Sequence, residues 1–170
     1  MDLPNLKRVD RLGPLTIPLH GLHAMALDYG EKQFKLKGEC APTFLVAVGT
    51  AVMWIEDSWE GGHERGFKFR LMHRMLQALE ARAYSFISEV YSASARSRDE
   101  LPEDLVDLPR SQRDEQLWVS SFARDGEHFN STYLITPRRH GLSFLGPRVD
   151  DDGEDGDWGG RAWNLFQEPR

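Results

Sequence analysis

The sequence predicts an α+β fold, in which an antiparallel or mixed sheet of about five or six strands carries two helices on one face. Two stretches place apolar residues at helical spacing, and several shorter runs have the apolar or alternating pattern of strands. Most of these runs lie in the C-terminal half of the chain. A length of 170 residues with 40% hydrophobic content suits one domain.

The first predicted helix begins near Pro18, because proline is favoured in the first turn of a helix. Gly30 is expected to weaken or end this helix, and Gly38 is a second stop signal. The apolar positions of its buried side are Leu19, Leu22, Met25, Ala26 and Tyr29.

Two strands follow, at 43–48 and 51–57, and the intervening Gly49-Thr50 predicts a hairpin. The run is apolar on both faces, which favours a central place in the sheet. The strongest helical pattern comes next, over 67–82. Its apolar side comprises Phe67, Leu71, Met72, Met75, Leu76 and Leu79.

The second half of the chain reads as strands separated by one long loop. Segment 92–114 is polar and contains prolines, which predicts the loop. Asp125-Gly126 favours the positive φ angles of a tight hairpin turn. The predicted strands lie at 83–92, 116–124, 128–136 and 142–145.

Composition divides the chain into an N-terminal arm (1–16), an α+β domain (17–148) and an acidic tail with an aromatic end (149–170). The net charge is −6, and the tail alone holds seven acidic and two basic residues. A run of like charges repels itself, so we expect the tail to be partly disordered. The domain is close to neutral, and we do not expect it to bind nucleic acid, which requires a basic surface.

Cysteine usage and hydropathy restrict the class of protein. The single cysteine, Cys40, excludes an internal disulfide framework and indicates a reducing compartment. No apolar run approaches the roughly 20 residues that span a bilayer, so we expect no membrane contact. The expected location is cytoplasmic, and no sequence motif calls for a cofactor.

Glu89 interrupts the apolar strand at 83–92, where alternation places it on the same face as Ile87 and Tyr91. A buried carboxylate is costly unless it is paired. We expect a structural ion pair with Arg113, because a guanidinium binds a carboxylate through two parallel hydrogen bonds. A catalytic or ligand-binding carboxylate and simple exposure are the alternatives.

Glu89, Asp114 and Glu115 form the candidate catalytic set. Three carboxylates at strand ends resemble the magnesium sites of hydrolases and nucleases, so a metal-dependent hydrolase or nuclease is the alternative function. We favour the interpretation that Asp114 and Glu115 are turn-forming residues, and we expect no metal site.

Three other residues have side chains that bind metals or act as nucleophiles. His20 and His23 lie three residues apart on the first helix, a spacing that zinc ligands use, but no third ligand lies near them in sequence. Cys40 precedes a predicted central strand, where cysteines are ordinarily buried and inert. We therefore expect neither a zinc site nor a cysteine nucleophile.

Two further surfaces are candidates for binding. Arg138 and Arg139, with Arg148, form a small basic set that makes nucleic-acid binding a third hypothesis, although exposed turn residues are the favoured interpretation. The tail ends in large apolar side chains that are costly to expose. These residues are expected either to fold back onto the domain or to dock on a protein partner or a second subunit: Trp158, Trp163, Leu165 and Phe166.

The sequence A-Y-S-F-I-S-E at 83–89, followed by R-D-E-x-L-x-V-S at 113–120, resembles a loose group of small uncharacterised proteins from bacteria and their phages. In that group a helix leads to a strand ending in Ser-Glu, and an Arg-x-Glu enters the next strand. The resemblance covers roughly residues 67–136 and implies no activity. It favours a phage or mobile-element origin, which would place the protein in the host cytoplasm or in a virion.

The function that these observations predict is a small non-enzymatic protein that acts through protein–protein contacts. The partner is another protein or a second copy of the chain. In the context of the resemblance, the expected role is that of an accessory or assembly factor of a phage or mobile element.

Overall fold

One antiparallel sheet of seven strands organises the part of the chain that the computed structural model describes, namely residues 5–11, 17–58, 62–93, 100–102, 105–137, 143–151 and 164–166. The elements in chain order are β1 (Asn5–Arg11), α1 (Leu19–Lys37), β2 (Thr43–Val48), β3 (Ala51–Glu56), α2 (Gly62–Ala78), β4 (Ala83–Ser92), β5 (Asp114–Ala123), β6 (His128–Thr136) and β7 (Phe144–Asp151). The strand order across the sheet is β1-β3-β2-β4-β5-β6-β7. The predicted α+β class and the antiparallel sheet are confirmed.

The two helices lie on opposite faces of the sheet, so the prediction that both pack on one face is wrong. In β2, Leu45 and Ala47 join the core beneath α1, whereas Phe44 and Val46 join the core beneath α2. Strand β4 divides in the same way. A central strand that is apolar on both sides needs cover on both sides, and one helix on each face supplies it.

Helix α1 packs closely because it contains a glycine where it crosses the sheet. A Cβ at Gly30 would lie 3.3 Å from Ile87 Cγ2 and 3.4 Å from Leu117 Cδ2. The helix continues through Gly30 to Lys37, so it does not end at this glycine. It ends at Gly38, as predicted, where a φ of 74° lets the Gly38 N–H donate to Phe34 O at 2.8 Å.

Helix α2 begins at Gly62, before the predicted start of the helix at 67, and its buried side differs from the predicted one. Phe69, Met72 and Leu76 are buried, whereas Phe67 is 48% exposed. The spacing of the buried residues still follows the helical period. Phe67, at the start of the predicted apolar side, therefore lies on the exposed side of the helix, and Phe69 lies on the buried side.

The edges of the sheet extend beyond the predicted domain boundaries. Asn5–Arg11, expected to lie in an irregular arm, forms β1 and pairs with β3 from Asn5↔Glu56 to Arg11↔Ala51. Strand β7 runs to Asp151, so its last residues come from the segment that charge assigns to the acidic tail. Backbone pairing with β6 from Asn130↔Asp151 to Thr136↔Phe144 stabilises these residues despite their charge.

Replacing Gly38 with alanine is expected to lower the free energy of unfolding by about 1 kcal/mol, because a Cβ is disfavoured at positive φ. Gly66→Ala is the matched control: Gly66 lies inside α2, where an added Cβ would meet only Arg70 Nη1 at 3.8 Å. Alanine there is expected to raise stability by up to about 1 kcal/mol. Chemical denaturation measures both, and equal signs for the two variants would contradict the assignment of Gly38 as the helix cap.

Candidate functional site

Glu89 is held by a backbone group at the end of α1. Its carboxylate accepts a hydrogen bond from Cys40 N at 2.5 Å. Burial raises the pKa of Glu89, and the charges of Glu115 and Glu39 raise it further, while the bond from Cys40 N opposes the rise. The carboxylate is thus half-buried beside other acids and is fixed by an amide.

Arg113, the expected partner of Glu89, makes different contacts. Its guanidinium lies 4.2 Å from the centre of the Tyr91 ring, and Nη1 donates to Leu105 O at 3.1 Å. These contacts tie the short 3-10 helix Leu105–Asp107 to β4. Glu89 contacts Cys40 N, and Arg113 contacts Tyr91 and Leu105 O. The ion pair between Glu89 and Arg113 stays a prediction.

The candidate carboxylates do not converge on one point. Glu115 pairs with Tyr91 and lies on the α1 side with Glu89, whereas Asp114 pairs with Ser92 and lies on the opposite side. The alternation of side chains along β5 separates the two neighbours. Among the described residues, no group of three or more histidine, cysteine or acidic side chains is placed to hold a metal ion.

The thiol of Cys40 is not poised for nucleophilic attack. Burial raises the pKa of Cys40 to about 12, and the nearby charge of Glu89 acts in the same direction. The thiolate is the nucleophilic form of cysteine, so this environment suppresses reactivity at neutral pH. Cys40 therefore packs in the core beneath α1, as expected for a structural cysteine.

His23 is the centre of a buried chain of hydrogen bonds that joins α1 to four strands. Its Nδ1 lies 2.7 Å from Ser121 Oγ and its Nε2 lies 2.9 Å from Ser131 Oγ. Ser121 Oγ lies 2.6 Å from Ser85 Oγ, and Ser131 Oγ donates to Asp150 Oδ1 at 2.6 Å. Although His20 and His23 have the sequence spacing of zinc ligands, His20 is exposed and His23 is buried.

The direction of each bond in this chain follows from the hydrogen that Ser131 gives to Asp150. Because that hydrogen is used, His23 Nε2 must donate to Ser131 Oγ, and in a neutral imidazole Nδ1 is then an acceptor. Ser121 must therefore donate to His23 Nδ1, which leaves Ser85 to donate to Ser121. The three serines are almost fully buried, so a substrate cannot reach them, and the bonds that they make with His23 position α1 on the sheet.

Leu165 and Phe166 of the tail pack onto the domain, on the face covered by α2. Leu165 is 2% exposed and belongs to the core beneath α2. Its backbone N–H donates to Tyr84 Oη at 2.8 Å, and its carbonyl accepts from His73 Nδ1 at 2.6 Å. Of the two alternatives for the tail, the structure shows the intramolecular one for Leu165 and Phe166.

Phe166 completes this contact through its ring. The ring packs against the Tyr84 ring in a T-shaped arrangement, with centroids 5.3 Å apart, and the Arg124 guanidinium lies 5.1 Å from its centre. Asn164 Oδ1 accepts a hydrogen bond from Phe166 N at 3.0 Å, which closes a turn around Leu165. We name the surface formed by His73, Tyr84 and Arg124 the tail groove.

Arg124 is held in place by hydrogen bonds to the domain itself, in addition to its contact with the tail. Its Nε donates to Ala81 O at 2.9 Å, and Nη2 lies 3.4 Å from Leu76 O near the C-terminal end of α2. A cation here also complements the helix dipole, since the last turn of α2 carries no basic residue. The guanidinium therefore links the end of α2, the end of β5 and the ring of Phe166.

The remaining predicted binding residues divide into two groups. Arg148 Nε lies 2.9 Å from Asp150 Oδ1, so its charge is paired within β7. Trp158, Trp163, Arg138 and Arg139 lie outside the described residues.

Sequence reasoning missed the residues that form the tail groove. The available signal was Tyr84, a tyrosine near the start of a predicted strand, because a buried phenol usually has a hydrogen-bond partner. His73 and Arg124 carried no comparable signal, since only the fold brings them beside Tyr84.

Comparison with known proteins adds no relative: no protein-family model, curated protein or solved structure matches this chain. No helix in the described part of the chain is long and apolar enough to cross a membrane.

The buried His23 is expected to make stability depend on pH. Burial lowers the pKa of His23, although Asp150 opposes this and Arg148 reinforces it. The unfolded chain then binds the proton more readily, so the free energy of unfolding falls as the pH drops below about 6.5. This contribution is complete at higher pH and has a slope of at most about 1.4 kcal/mol per pH unit.

Denaturation between pH 7.5 and 5.5 measures this slope in the wild type, in His23→Gln and in His20→Gln. We expect His23→Gln to reduce the slope and His20→Gln to leave it unchanged, because His20 is exposed on the same helix. A slope that survives the loss of His23 would contradict the assignment.

Glu89 is expected to change the pH dependence of stability in the direction opposite to that of His23. Its raised pKa means that the folded chain holds this proton more readily, so its contribution is present at acid pH and is lost as the pH rises above about 4.5. Glu89→Gln keeps an oxygen for Cys40 N and removes the charge. The variant should therefore be more stable than the wild type at pH 8, and the difference should shrink towards pH 4; Glu127→Gln, in an exposed turn, is the control.

Proposed function

We propose that this protein is non-enzymatic and acts through protein–protein contacts, with the tail groove as the contact site. The observation that carries the proposal is the way in which the groove holds Leu165. The side chain is buried, and both backbone polar groups are bonded by side chains, Tyr84 for the N–H and His73 for the carbonyl. This is the set of contacts by which a protein surface recognises a short peptide.

The energy of these contacts supports a reversible latch. Burial of a leucine contributes about 1.5–3 kcal/mol, each hydrogen bond about 1 kcal/mol net, and the ring contacts of Phe166 about 1 kcal/mol. Ordering the backbone of Asn164, Leu165 and Phe166 costs about 1–2 kcal/mol per residue. The favourable and unfavourable contributions are of similar size, so the segment is expected to open without unfolding the domain.

A tethered latch also keeps the groove from binding other segments non-selectively. A segment that belongs to the same chain as its binding site can have an effective concentration there on the order of millimolar. A partner must therefore exceed that concentration or add contacts outside the groove. On this proposal, the C-terminal segment of the protein is the competitor that a partner displaces, as an accessory or assembly factor requires.

Hydrogen exchange of the full-length protein tests whether the latch opens. The Leu165 N–H is expected to exchange at least tenfold faster than the amide of Val119, which is buried in β5, because the segment opens locally while the sheet stays closed. Equal free energies of opening at the two sites would mean that the segment is a permanent part of the core, and would overturn the proposal.

The variant Tyr84→Phe is expected to speed exchange at Leu165 further, since it removes the acceptor of that N–H. Tyr133→Phe is the matched control, because the Tyr133 hydroxyl donates to Glu31 at 2.6 Å on the opposite face of the sheet. It should leave exchange at Leu165 unchanged.

A further inference from the structure

We propose that the tail groove selects, in another polypeptide, a short turn with the sequence asparagine or aspartate, then leucine, then an aromatic residue. The inference rests on the proposed function and specifies the partner of the same site. Each of the three positions in the bound segment makes a distinct contact, and each contact restricts the residue that fits.

The central position requires a medium-sized aliphatic side chain. Leu165 is 2% exposed among the side chains beneath α2. A charged residue there would be buried without a partner, and alanine would leave a cavity. The bonds to Tyr84 and His73 use only the backbone of this residue, so they fix its place without restricting its side chain.

The preceding position requires a side-chain oxygen one carbon beyond Cβ. Asn164 Oδ1 accepts from Phe166 N at 3.0 Å, and this bond holds the turn that presents Leu165. Aspartate offers the same oxygen at the same distance from the backbone, whereas alanine offers none. The position therefore accepts asparagine or aspartate.

The following position favours an aromatic ring. The ring of Phe166 makes a T-shaped contact with the Tyr84 ring, at 5.3 Å between centroids, and the Arg124 guanidinium lies over it, at 5.1 Å from its centre. Because Arg124 is bonded to Ala81 O, it meets the ring without a large loss of freedom. An aliphatic side chain would lose the interaction with the cation.

The experiment uses the full-length chain with Leu165→Ser and Phe166→Ser, so that its own segment leaves the groove. The probe is a synthetic peptide with the sequence of residues 161–168, RAWNLFQE, titrated into the labelled protein and followed by NMR chemical shifts. We expect saturable shifts at residues of the tail groove. If the double variant lacks a cooperative melt, the chain with Phe166→Ala alone replaces it; because Leu165 then still competes for the groove, the peptide is titrated above the effective concentration of that segment.

Substituted peptides test the selection. Leu165→Asp is expected to weaken binding at least tenfold, Phe166→Ala and Asn164→Ala about threefold or more, and Asn164→Asp little or not at all. In the protein, His73→Phe should weaken binding of the unsubstituted peptide. His63→Phe, an exposed residue on the same helix, should not.

The outcomes separate the two proposals. If the unsubstituted peptide produces no shifts, the groove does not take a segment from another chain, and the proposed function fails. If that peptide binds but the substituted peptides bind equally well, the contact site stands and the sequence selection fails. If the substituted peptides bind more weakly in the predicted order, the result supports both the contact site and the sequence selection.

Discussion

The central strands β2 and β4 are apolar on both of their faces, and this constraint organises the molecule. A strand of that kind is stable only when both sides of the sheet are covered. Helix α1 covers one side across β2, β4, β5 and β6, and its glycine at position 30 brings the helix within contact distance of the sheet. On the other side, α2 is assisted by Leu165, which joins the same buried cluster.

The buried histidine and serines beneath α1 are arranged so that they bond to one another. His23 would be costly beneath α1 as an isolated imidazole, but the serines from β5 and β6 take both of its nitrogens. The same chain ends at Asp150, on an edge strand that carries a run of acidic residues. An acidic segment that composition assigns to a solvated tail thus becomes part of the anchor of α1.

The tail groove arises where several requirements meet. Helix α2 ends near Leu76 and Gln77, and Arg124 lies 3.4 Å both from the carbonyl oxygen of Leu76 and from the side-chain oxygen Oε1 of Gln77. The guanidinium is then available on its exposed side to the ring of Phe166. Tyr84 similarly belongs to the core and still presents its hydroxyl to a backbone N–H. A binding surface of this kind is a consequence of how the second face of the sheet is closed.

The sequence by itself determined the α+β class, both hairpins, the end of α1 at Gly38 and the central place of β2, because these depend on local periodicity and on turn residues. It also indicated that the aromatic tail would not remain exposed. It did not determine that the helices take opposite faces, since periodicity shows that a helix has an apolar side and does not show which surface that side meets. Nor did it place Glu89 on Cys40 N, His23 between two serines, or Leu165 between Tyr84 and His73. Those contacts join residues that are 49 to 108 positions apart, and only the pairing of the strands brings such residues within hydrogen-bonding distance.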